Sequence, residues 1–241
     1  ANLYTCRDFS GGYIPEVLNG ETYGLSGVCS HQAWSETMGF HPFYEGVLGF
    51  EPDSLEGILK LAPSIPPNLG RLEARSLVFG NNSLDFRYAS SVVFGELIEV
   101  TQRFELKVKR EVPLYFTPHI PAYAERIEFS VNGRKRPVKV YRGRTATACR
   151  IEPEGPVSGR KLEIEVRYGV PFLLMPVEPQ LLRGKESCQP RIVSIAKIAG
   201  SWELRLAVPA GRSCISFLAS KGLKAENAVL EDGKLYVSSD R

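Results

Sequence analysis

Past residue 70 the chain alternates. Leu84/Phe86/Tyr88, Ile127/Phe129/Val131, Val138/Val140, Leu162/Ile164/Val166/Tyr168 and Trp202/Leu204/Leu206/Val208 put an apolar side chain at every second position. That is the period of a strand with one buried and one wet face. Gly80-Asn81-Asn82, Asn132-Gly133 and Asp232-Gly233 lie between such runs and tolerate positive φ, which predicts hairpins there. Pro171, Pro176, Pro179 and Pro190 interrupt the pattern before it resumes at Ile192. The prediction is an antiparallel β-sandwich over 71–170, with 171–241 forming a second sandwich or completing the first.

Before residue 63 the pattern is helical. Ser30 is placed to cap a helix starting near His31, with Ala33, Trp34, Met38, Val47 and Leu48 as candidate buried positions and Gly49 as the C-terminal stop. Pro42 removes the backbone bond to Met38, so this segment should kink or split into two short helices. The three prolines of Ala62-Pro63-Ser64-Ile65-Pro66-Pro67-Asn68-Leu69-Gly70 forbid helix and predict a linker over 63–70. The fold class is therefore mainly β, with a short N-terminal helical segment.

Charge changes at the same place. Residues 1–62 hold only Arg7 and Lys60 against eight acidic side chains, a balance of −6, which leaves +9 to the remainder of a chain whose total is +3. So small a total argues against a nucleic-acid partner, and Arg134-Lys135-Arg136 sits at the end of a predicted hairpin, where a solvated basic tip is ordinary. No apolar run reaches the roughly 18 residues of a membrane span, and no signal core opens the chain. Cys6, Cys29, Cys149, Cys188 and Cys214 are odd in number and scattered, which fits reduced thiols in a cytoplasm better than a disulfide framework. A soluble, cytoplasmic protein without a membrane partner is expected. Cys29 and His31 have no CxxC or HxxxH companion, so no metal is expected. Ala1 opens into what reads as mid-domain sequence, as expected of a piece of a larger protein.

The candidate chemistry lies in the first quarter. Glu16 follows Pro15, which fixes the local φ, and precedes the Asn19-Gly20 turn signal, so its carboxylate should stand on a defined loop. Inverting hydrolysis of a glycosidic bond needs an acid for the leaving oxygen and a base for the attacking water, roughly 6.5–9.5 Å apart. Glu16 suits the base. Tyr13, Ile14, Val17, Leu18 and Tyr23 surround it with apolar bulk that would raise a carboxyl pKa. His31, Gln32 and Trp34 offer a donor, an amide and a stacking face for a sugar, although each also has a structural explanation: polar surface, helix cap and core.

The run from Tyr13 to Leu61, above all Pro15-Glu16, Cys29-Ser30-His31-Gln32-Ala33-Trp34-Ser35 and Gly46-Val47-Leu48-Gly49-Phe50-Glu51-Pro52-Asp53, resembles the C-terminal end of the catalytic barrel in amylo-α-1,6-glucosidases of the glycogen-debranching type. Other six-hairpin glycosidases, glucoamylase-like and α-L-rhamnosidase enzymes among them, share the general pattern. The stretch from Leu61 to Pro67 looks like the exit from that (α/α)6 barrel into an attached β domain. The resemblance assigns 1–62 to the end of the barrel. It implies that Glu16 is the general base, that His31, Gln32 and Trp34 line the sugar subsite, and that no cofactor takes part. It also implies partners: an α-glucan or other oligosaccharide substrate, and the N-terminal barrel of the same protein.

Two departures matter. Ser30 stands where the family commonly has Pro, which changes the helix cap more than the chemistry. The family's general acid lies on an earlier loop, and a full helical barrel cannot fit before Pro63, so Asp8, Glu21 or Glu36 as an in-chain acid is disfavoured and the isolated polypeptide should be inactive. The competing reading is a carbohydrate-binding or structural β module. Tyr115, Phe116, Tyr123, Tyr141 and Trp202 are its candidate aromatics, with Trp202 in step with Leu204 and Leu206 as a core residue.

Overall fold

The computed structural model describes residues 24, 33–142, 148–174, 191–198, 201–207, 211–219, 229–231 and 234–239. Helix α1 (Ala33–His41) passes directly into a π-helical turn, Pro42–Val47. Pro42 brings no N–H to the α ladder, and the turn after it widens so that the Leu48 N–H donates to the Phe43 carbonyl five residues back, at 3.0 Å. The predicted split is thus present, and Gly49 ends the element at a φ of +58°. Burial along it differs from expectation. Leu48 is fully buried and Val47 half-buried, but Ala33, Trp34 and Met38 are exposed.

Strands β1 (Phe50–Asp53) and β2 (Ile58–Leu61) follow as a hairpin. Asp53 closes its turn by accepting the N–H groups of Leu55 and Glu56. Leu59 and Leu61 point into the same buried cluster as the later strands, so packing runs without a seam across 62/63.

The stretch expected to be a linker is held on several sides. Ser64 N–H donates to Val47, His119 N–H to the Pro63 carbonyl and Ser90 N–H to the Gly70 carbonyl, while Pro63 and Ile65 are buried. Its prolines block helix, as expected, but the chain here works as a strap.

The remaining strands are β3 (Arg71–Phe79), β4 (Asn82–Phe94), β5 (Ile98–Val108), β6 (Leu114–Phe116), β7 (His119–Pro121), β8 (Glu125–Val131), β9 (Arg134–Lys135), β10 (Val138–Arg142), β11 (Ala148–Pro153), β12 (Lys161–Val170), β13 (Phe172–Leu174), β14 (Arg191–Ile198), β15 (Ser201–Ala207), β16 (Gly211–Ala219), β17 (Val229–Glu231) and β18 (Lys234–Ser239). The protein is mainly β. A six-stranded sheet, β3-β4-β5-β12-β8-β9, forms one layer, faced by the three-stranded sheets β1-β2-β6 and β10-β11-β7. Among the described residues every strand pairing is antiparallel except β2 with β6.

Alternation sorts the two faces of the large sheet. Ile98, Val100, Gln102, Phe104, Leu106 and Val108 of β5 are buried, as are Leu162, Ile164, Val166, Tyr168 and Val170 of β12. The layers meet through aromatic rings: Phe104 packs edge-on against Phe116 of the opposite layer at 5.0 Å, and Phe116 tilts against Phe129 at 6.4 Å. Such pairs add about 0.5–1.5 kcal/mol each to plain area burial. Asn132-Gly133 makes the predicted tight turn, with φ of 49° and 75°.

Beyond Pro171 the strands form further sheets, β13-β16-β18-β17 and the hairpin β14-β15. Trp202 of β15 lies 5.6 Å from Tyr123 and 6.5 Å from Phe172, ring to ring, so it packs as the core residue the alternation predicted.

Candidate functional site

Of the four residues assigned to a sugar site, the structure places Trp34. Glu16, His31 and Gln32 lie outside the described residues, as do Asp8, Glu21 and Cys29. Trp34 stands in the first turn of α1 with 62% of its surface exposed, and Met38, one turn on, is 70% exposed. Two local side-chain contacts lie along this helix and the turn after it. Thr37 Oγ1 donates back to the Ala33 carbonyl, and His41 lies 3.0 Å from Glu45. An indole held out on a short helix can stack on the C–H face of a sugar or pack into another polypeptide.

The aromatics of the competing reading divide between core and surface. Phe116 and Tyr123 are buried and Trp202 is half-buried, which leaves Tyr115 and Tyr141 exposed. The Arg150 guanidinium covers the Tyr141 ring at 4.9 Å, so one face of that ring is already occupied.

The solvent face of the six-stranded sheet is built from charged side chains, because the alternation that buries one face of β4, β5 and β12 turns Lys, Arg, Glu and Asp outward. Glu73 accepts from both Arg75 and Arg87 at 2.8 Å. Those two guanidiniums, Arg75 first, hold the Glu73 carboxyl down at about 2. Partial burial pushes Glu165 upward, yet the hydrogen bonds from Arg103 and Arg167 outweigh it and leave its pKa below the ordinary range.

At one corner of this face a cleft of about 650 Å³ opens between Ser76, Asp85, Lys107, Lys109, Arg160 and Lys161. Its shape follows from a β-bulge: pairing of β3 with β4 slips between Ala74 and Leu77, and Ser76 takes a left-handed φ of 56°. Asp85 Oδ1 accepts the Ser76 N–H at 2.9 Å, and Arg160 Nη2 donates to the Lys109 carbonyl at 2.8 Å. No protein-family model and no curated protein matches the chain.

Polar groups also lie inside the sandwich. Gln102, 1% exposed, donates through Nε2 to the Ile65 carbonyl and to the Tyr88 hydroxyl, both at 3.0 Å. These bonds tie the strap to the sheet. The Tyr168 hydroxyl is equally buried and has no hydrogen-bond partner among the described residues. Burial pushes its pKa well up, as it does that of the Cys149 thiol, so both stay neutral and read as structure.

Sequence reasoning missed the cationic cleft. The signal was present as Lys107-Val108-Lys109 and Arg160-Lys161, but the two pairs are more than fifty residues apart and only strand pairing brings them together.

Proposed function

We propose that this chain carries the base-bearing end of an inverting α-glycosidase of the debranching type, followed by a β-sandwich that packs on the catalytic barrel. The observation that carries the reading is the run Pro15-Glu16 followed by Cys29-Ser30-His31-Gln32-Ala33-Trp34-Ser35, with the exposed Trp34 indole at the start of α1 as support. In this reading Glu16 removes a proton from the attacking water while an acid from the rest of the barrel protonates the leaving oxygen. His31, Gln32 and Trp34 bind the sugar, and the reaction runs in the cytoplasm on an α-glucan or related oligosaccharide.

The test uses protein expressed from the whole reading frame that contains this sequence. Glu16→Gln is compared with wild type on branched and linear α-glucans. A loss of turnover of at least about a hundredfold, with Km little changed, is expected for removal of a general base. Normal turnover by that variant removes Glu16 from the mechanism.

The second reading, a carbohydrate-binding β module, is favoured by the exposed Tyr115 and Tyr141 on the layer opposite the charged sheet. Retardation of the present chain in an affinity gel containing glycogen, abolished by Tyr115→Ala and Tyr141→Ala together, would favour the module over a packing role.

A further inference from the structure

On most of the outer face of the six-stranded sheet, acid meets base. Glu73 serves Arg75 and Arg87, Glu165 serves Arg103 and Arg167, and Glu128 pairs with Lys135. The pattern fails at two successive outward rungs of β5 and β12: Glu105 lies opposite Glu163, and the next rung is at the cleft. Lys107 on β5 lies directly opposite Lys161 on β12, a like-charge cross-strand pair that costs stability in the free protein. Lys109 and Arg160 flank the pair. The one acid, Asp85, is opposite Lys107 in the β4–β5 register, yet its carboxylate is turned to the Ser76 N–H. None of the four cations has an ion pair among the described residues.

We infer that this corner binds a phosphate or sulfate group carried on a small molecule. Four cations against one occupied carboxylate leave an excess of positive charge in a concave space, and an oxyanion seated there would relieve the repulsion between Lys107 and Lys161. The Arg160 guanidinium is held across the cleft by the Lys109 carbonyl and retains further donors for the anion. A volume of about 650 Å³ exceeds the oxyanion alone and lies in the range of small-molecule sites, leaving room for the body of the ligand. The Ser76 bulge stores backbone strain at the rim, a common feature of ligand-binding positions. The inference is independent of Glu16 and of hydrolysis.

The test titrates the purified chain with glucose 6-phosphate, inorganic phosphate, inorganic sulfate and glucose at low ionic strength, followed by calorimetry and by amide chemical shifts. Saturable binding of at least one of the three anions is expected, with shifts on β5 and β12, and none with glucose. Comparing the sugar phosphate with the two inorganic ions shows whether the ligand body contributes and which oxyanion is preferred. The double variant K107Q/K161Q should weaken binding at least about tenfold, the loss of one charge-assisted contact. K135Q, which removes a cation of the same sheet already paired with Glu128, should leave it unchanged. Absence of saturable binding to all three anions, or an equal loss in K135Q, overturns the proposal. Single variants K107Q and K161Q, each expected to give a smaller loss, decide the matter if the double variant does not fold.

Discussion

Gly49 packs its bare Cα against the backbone carbonyl of Ala62, with no room for a Cβ between them. The contact is locked by the Ala62 N–H, which donates to the Gly49 carbonyl at 3.0 Å, and Gly49 holds a left-handed φ of +58°. Gly49→Ala should therefore lose at least about 2 kcal/mol, combining left-handed strain with a backbone clash. Gly57→Ala isolates the strain: Gly57 has a φ of +65° with open space around it and should lose only about 1 kcal/mol. Urea denaturation of the two variants checks the difference, and equal losses would remove the Ala62 contact from the explanation.

Two buried tyrosines should respond in opposite ways to removal of a hydroxyl. Tyr88→Phe takes away the acceptor of one Gln102 hydrogen bond and should cost about 1–2 kcal/mol. Tyr168→Phe removes a hydroxyl without a partner among the described residues and should be neutral or stabilising by up to about 1 kcal/mol. Thermal denaturation of both proteins provides the comparison. A clear loss in Tyr168→Phe would reveal a partner for that hydroxyl.

The Glu73 fork predicts a pH dependence. Its carboxyl titrates at about 2 in the fold, below its ordinary value near 4.5, so the fork stabilises fully above the ordinary value and its contribution disappears as pH falls to about 2. Glu73→Gln should lower the melting temperature at neutral pH, with the gap to wild type closing between pH 4.5 and 2. The fork is exposed, so the gap should be small and shrink further in high salt. A gap that stays constant through acid would mean that the guanidiniums do not depress this carboxyl.

Trp34 separates function from stability. Because its ring is 62% exposed, Trp34→Ala should change folding stability by no more than about 0.5 kcal/mol. If Trp34 stacks on sugar, the same variant in the full-length protein should raise Km for α-glucan several-fold. A large loss of stability in the present chain would instead make the indole a packing residue.

Fold class and several local events were readable from the order of residues alone. The two-residue period of β4 and β12, the Asn132-Gly133 turn, the break at Pro42 and the stop at Gly49 each depend on backbone preferences within a few residues, and each occurs where expected. The period of β3 was hidden by the bulge at Ser76, which spaces Ala74 and Leu77 by three. Of the candidate sugar site, Glu16, His31 and Gln32 were singled out by residue type and spacing. Trp34 shows the ambiguity of such reasoning, since an indole on a short helix fits core and surface equally well until neighbouring elements are placed.

Tertiary structure decided the rest. Prolines over 63–70 announce only that helix is impossible; whether such a stretch hangs loose or lies bonded between Val47, Ser90, Gln102 and His119 depends on groups distant along the chain. Lys107 and Lys161 are unremarkable as single outward residues of amphipathic strands. Pairing β5 with β12 makes them face each other, because strand neighbours are selected by packing of the buried side chains, and the outward charges are carried into whatever register the core requires.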